Sequence, residues 1–145
     1  MGLVERLTGQ RVCIDTAPFI YYIERKEKYS AFLNPLFDEI AAGNIDAFTS
    51  AITLIEVLVH PFRTGNTALA EKYRDILLNA EGLTTFGIHH EISFEAARLR
   101  ASYAIKTPDA IQIATGKVYG ADTFVTNDAG LRKIPEINVL LLDDL

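Results

Sequence analysis

Four acidic residues stand where a carboxylate is either a structural cap or part of a reactive site: Asp15, Glu56, Asp109 and Asp128. Asp15 closes the apolar run Val12, Cys13, Ile14, and Asp128 lies just past the run 123–126. Asp109 falls in the first turn of an expected helix, and Glu56 inside an apolar stretch, residues 52–59. Three of them have ordinary explanations. Asp109 complements a helix dipole, Asp128 before Ala129 and Gly130 suits an Asx turn, and Asp15 can cap the next helix. Glu56 is harder to dismiss. Flanked by Leu54, Ile55, Val57 and Leu58, it is expected to be at least half-buried, and a buried charge needs a partner. No Lys or Arg lies within four positions of it, so a local helical ion pair is excluded.

Taken together the acids point to a different chemistry. Several carboxylates at one place repel unless a cation joins them. A set of hard oxygen donors selects Mg²⁺ or Mn²⁺ over zinc. Such an ion can lower the pKa of a bound water and support in-line displacement at a phosphodiester.

The elements must bring these residues together. Apolar runs at residues 11–15, 45–50, 83–88, 123–126 and 139–142 predict strands. Helices are expected over 18–24, 30–42, 53–59 (ending near Pro61), 67–79, 93–103 with Ser93 as cap, and 107–119 with Thr107 as cap and Pro108 first. This alternation implies an α/β domain: a mostly parallel sheet with helices on both faces. Ligands of such sheets bind at the carboxyl ends of the strands. Those are the ends at which Asp15 and Asp128 fall, and the first turn of a following helix points to the same edge.

The 145 residues suit one domain, 1–145, and 49% hydrophobic with 23% charged residues is ordinary for a globular chain. The single cysteine, Cys13, excludes an internal disulfide and reads as a buried small hydrophobe. No apolar signal core or membrane-length run is present, so a cytoplasmic protein without membrane contact is expected. The net charge of −5 argues against indiscriminate adhesion to nucleic acid, although a carboxylate cluster that binds metal reverses its own sign in use.

With these residues in place, the sequence resembles the PIN-domain nucleases, and within them the VapC-like toxins of toxin–antitoxin pairs. The resemblance covers nearly the whole chain and rests on four short motifs in order. They are Val12 to Thr16 (an apolar strand ending in Asp and a hydroxyl residue), Ser50 to Glu56 with Thr53 between, Pro108-Asp109-Ala110 with Ala114-Thr115 following, and Gly120 to Asp128 with Thr126 two residues before the acid. The resemblance implies a PIN-like fold with about five strands and a Mg²⁺- or Mn²⁺-dependent endoribonuclease, often a homodimer. It places Asp15, Glu56, Asp109 and Asp128 in the acidic, metal-binding roles and Thr126 as an orienting hydroxyl, with Thr16 or Asn127 assisting. It further implies an RNA substrate, fragments with 3′-hydroxyl and 5′-phosphate ends, and a cognate antitoxin protein.

Other residues carry less. Arg25, Lys26 and Lys28, expected near the mouth, and Arg98, Arg100 and Lys106 are solvated charges or phosphate contacts. His89 and His90 are adjacent and cannot share a helix face as an i,i+4 metal pair would, and His60 before Pro61 reads as non-catalytic. Phe19, Tyr21 and Tyr22 read as core and dimer surface. No glycine loop of a nucleotide-binding pattern is present. An aspartyl-nucleophile phosphotransferase would want a second acid at position 17, which is Ala17, and a receiver-like domain would want paired acids after the first strand. The remaining alternative is a silent PIN-like domain that binds RNA or a protein.

Overall fold

The computed structural model describes residues 2–145. Five strands form one sheet: β1 (Arg11–Ile14), β2 (Asp46–Ser50), β3 (Leu83–Phe86), β4 (Thr123–Thr126) and β5 (Val139–Leu141). Their order is β3-β2-β1-β4-β5, and every neighbouring pair is parallel. Parallel strands need crossovers, which the helices supply: α1 (Leu3–Leu7), α2 (Thr16–Ile23), α3 (Glu27–Ala41), α4 (Ala51–Thr64), α5 (Thr67–Asn79), α6 (His90–Ser102) and α7 (Thr107–Val118). Short 3-10 turns at Ala129–Lys133 and Leu142–Asp144 follow β4 and β5.

The sheet is covered on both faces, and strand alternation decides which residue goes where. Val12, Ile14, Ala47, Val125 and Leu140 face a core filled by α1 to α5, including Phe19, Leu33, Leu36, Tyr73 and Leu77. Cys13, Phe48 and Phe124 face the opposite core, closed by α6 and α7 through Ile92, Leu99, Ile113 and Ala114. The expected α/β architecture with five parallel strands is the one observed.

Several boundaries differ for local reasons. α4 does not end near Pro61 but runs on to Thr64 and stops at Gly65, whose left-handed φ of 68° lets its N–H reach the Phe62 carbonyl. A proline removes one helical hydrogen bond, and Pro61 is buried where that loss is tolerated. α6 begins at His90, so Ser93 lies inside it, its hydroxyl donating to the His89 carbonyl at 3.2 Å. α7 begins at Thr107 itself, with Lys106 in the capping position and Pro108 second. β3 stops at Phe86, two residues before Ile88. The N-terminal helix α1 was not expected. It buries only Leu3 and Leu7, too few positions for a periodic signal. Among the described residues no helix is long and apolar enough to cross a membrane.

Candidate active site

The strand order reverses at β1. The chain passes from β1 to β2 and β3 on one side, and β4 with β5 lies on the other. A parallel sheet opens a crevice at the carboxyl ends of the strands beside such a switch point. Asp15 directly follows β1, and Thr126 ends β4 with Asn127 and Asp128 just beyond it. The two termini are tied directly: the buried Thr126 hydroxyl donates to Asp15 Oδ2 at 2.7 Å and accepts from the Asp128 N–H at 3.1 Å. Asp15 also caps α2, its Oδ1 accepting from the Thr16 N–H at 2.8 Å. The cap expected of Asp15 is therefore present, on the same carboxylate that Thr126 binds.

The other acids reach this edge from helices. Asp109 stands in the first turn of α7, and Glu56 on α4 accepts from the Thr16 hydroxyl at 2.6 Å. Burial pushes the Asp15 carboxyl up to about 6; its hydrogen bonds from Thr126 and Thr16 oppose this, and the negative charges of Asp109 and Glu56 add to it. Burial also raises Asp109, with help from Asp128 and Glu56, while Lys106 pulls it back. Asp15 thus feels the charges of Asp109 and Glu56, and Asp109 those of Asp128 and Glu56.

They do not close into a cage. Among the described residues no three His, Cys, Asp or Glu side chains are gathered closely enough to hold an ion by themselves. Asp128 is exposed, and its Oδ1 accepts from the Gly130 N–H at 2.9 Å, the Asx turn expected as its structural role. Glu56 is exposed rather than half-buried. Its apolar neighbours are not all core: Ile55, Val59 and Phe62 line an open face of α4. The donor set nevertheless fits a hard divalent cation. It consists of carboxylate and hydroxyl oxygens, Asp15 has no cationic partner among its contacts, and Mg²⁺ keeps several waters while bound through few carboxylates.

A buried polar network beneath the acids escaped sequence reasoning. Gln112, one turn deeper on α7 than Asp109 and 1% exposed, donates from Nε2 to Thr53 Oγ1 at 2.7 Å and to Thr16 Oγ1 at 3.3 Å. Thr53 and Thr49 share a hydrogen bond of 2.8 Å, and Thr49 donates to the Ile14 carbonyl at 2.7 Å. The available signal was a glutamine three positions after Asp109 on an otherwise apolar face.

Other candidates fall elsewhere. Asn127 turns away from Asp15: its amide donates to the Tyr21 and Tyr29 hydroxyls, and its oxygen accepts from the Asp143 N–H. Lys28 pairs with Asp143. Arg98 is bound to Glu95 and Glu136, and Arg100 braces the start of α7 through the Ile105 carbonyl and the Thr107 hydroxyl. His89 meets the Tyr119 hydroxyl at 2.7 Å, and His60 and His90 are exposed. Tyr22 stacks on Phe37 and Tyr21 on Tyr29. Cys13 is fully buried, which holds its thiol protonated.

The PIN-domain family model matches residues 12–137, and the chain belongs to that family. Among solved structures, it is similar to VapBC2 from Rickettsia felis bound to a promoter DNA fragment, with a TM-score of 0.72 and 18% identity over 90% of this chain and 98% of that one. It is also similar to FitAcB from Neisseria gonorrhoeae (0.68, 20% identity, 92% and 99% covered). A third similar structure is a toxin–antitoxin complex from Klebsiella pneumoniae (0.64, 22% identity, 90% and 97% covered). At these identities the likeness is one of fold. Comparison with curated proteins gives no match.

Proposed function

We propose that this chain is a Mg²⁺- or Mn²⁺-dependent endoribonuclease acting through Asp15, Glu56, Asp109 and Asp128. The observation that carries this reading is the unneutralised carboxyl edge at the sheet's switch point, where Asp15 is pushed up to about 6 with no cationic side chain bonded to it. Membership of the PIN-domain family supports it.

Asp15, with Glu56 and Asp109, would hold the ion, and Asp128, whose charge acts on Asp109, would complete the acidic set. The bound ion supplies an activated water and neutralises developing charge on the phosphodiester. The chain's own residues do the positioning. Thr126 occupies one oxygen of Asp15 and the Thr16 N–H the other, so the carboxylate cannot rotate freely. Thr16 fixes one oxygen of Glu56. Lys106, the cation that acts on Asp109, offers a contact for a substrate phosphate. By likeness to the toxin–antitoxin complexes, a small antitoxin would cover the acidic crevice.

The test is incubation of the purified protein with a structured RNA pool in Mn²⁺ or EDTA. The expected result is cleavage in Mn²⁺ alone, fragments with 5′-phosphate and 3′-hydroxyl ends, and suppression by the protein of an adjoining small reading frame. Cleavage that persists in EDTA, or leaves 2′,3′-cyclic ends, would contradict the water-attack mechanism.

A further inference from the structure

The polar network under the acids has one consistent arrangement of protons. Thr49 spends its hydroxyl proton on the Ile14 carbonyl, which can only accept. Thr53 must then donate in the 2.8 Å contact between the two hydroxyls. Its own proton is thereby used, so the group facing Thr53 at 2.7 Å has to be a donor. On the other branch, the Thr16 proton goes to the Glu56 carboxylate. Thr16 can therefore only accept from the interior, and the same Gln112 nitrogen reaches it at 3.3 Å. Turning the amide over would set its oxygen against hydroxyls with no proton left to give. Its orientation is fixed by its surroundings.

That orientation has a cost. Gln112 Oε1 is buried and has no hydrogen-bond partner, alone in this among the buried side-chain atoms of the described residues. An unmade hydrogen bond at such a position is destabilising. A methionine or leucine would fill the same space without it. The residue's contribution is thus not to packing but to the two protons it directs at Thr53 and Thr16.

We propose that Gln112 is a positioning residue whose buried amide, by donating to Thr16 and Thr53 at once, ties α7 to the hydroxyl that ends on Glu56. The amide links α7, which carries Asp109, to the start of α2 and to α4, which carries Glu56. It holds the elements of the acidic edge in register, with the Thr16 proton on Glu56 at 2.6 Å in preference to the longer 3.4 Å contact with the Thr53 hydroxyl. This inference rests on the proposed metal-dependent reading of that edge. Residues that orient metal-binding side chains from behind typically change metal affinity or activity by about 10- to 100-fold when removed.

The experiment compares wild type with Gln112→Met, Thr16→Val and the double variant. It measures the Mn²⁺ concentration at the midpoint of the metal-induced rise in melting temperature, and RNA cleavage as kcat and KM. Gln112→Met strands no donor, so its melting temperature without metal is expected to equal or exceed that of wild type. Its Mn²⁺ midpoint should rise by about 10-fold, with the loss in cleavage falling on kcat rather than KM. The double variant should be no worse than the weaker single variant, because both changes cut one chain. A Gln112→Met protein with wild-type midpoint and kcat, or a double variant showing the product of the two single effects, overturns the proposal while leaving the nuclease reading intact. A wild-type protein that neither responds to Mn²⁺ nor cleaves RNA removes that reading, and this inference falls with it.

Discussion

Asp15 is held between two demands. The backbone uses it as the cap of α2, and the edge of the sheet buries it beside the charges of Asp109 and Glu56, which disfavour its anion. Its folded pKa of about 6 lies above the ordinary 3.8. Between those values the native state takes up a proton that the unfolded chain does not. Stability of the metal-free protein therefore rises as pH falls through 6 and levels off near 4. Asp109, also raised, acts in the same direction, while Glu136, held at about 2 by Arg98 and Lys117, and Glu95 and Asp143, also held low by their partners, act oppositely, but only as pH falls through their ordinary values of 4.5 and 3.8. The melting temperature in EDTA should thus increase from pH 7 to pH 5, and Asp15→Asn should flatten most of that slope. A melting temperature that falls over this range would show that the acids are not in tension. The four acids were legible from the sequence because each breaks an apolar run or opens a helix. Gln112 was not, because its meaning depends on Thr53 and Thr16, 59 and 96 residues away.

Elements were legible wherever periodicity was long and punctuated, and blurred where one residue carried two messages. Pro61 read as a stop, yet the left-handed Gly65 ends α4. Apolar neighbours around Glu56 read as burial, yet periodicity cannot tell a core face from an open one. Gly82, before the edge strand β3, shows how tightly an element junction is specified. Its φ is 78°, and a Cβ there would overlap the Ile40 carbonyl oxygen at the end of α3. Gly82→Ala should lose about 1–2 kcal/mol to the left-handed backbone and a further ~1–3 kcal/mol to the overlap, measured as a lower urea midpoint. Because β3 lies two strands from β1, cleavage below the unfolding transition should be unchanged. An unaltered midpoint would mean that the turn reshapes at little cost.

At the scale of the molecule, the order β3-β2-β1-β4-β5 decides where chemistry can occur. Strand order is not encoded locally, so the sequence could place acids at strand ends without showing that β1 and β4 are neighbours. The register Ile14 to Val125 supplies that, and the Thr126 to Asp15 hydrogen bond follows from it. A chain of net charge −5 would meet a polyanion such as the proposed RNA unfavourably unless its most acidic edge were neutralised. On the proposed reading, this edge therefore works only as a metal-loaded carboxylate site. Cleavage of a structured RNA pool by wild type and Asp15→Asn, each in Mn²⁺ and each with its melting temperature recorded, tests it most directly. The expected result is cutting by the wild type alone, with a Mn²⁺-induced rise in melting temperature that the variant largely loses. Equal cutting by a folded Asp15→Asn protein would contradict it.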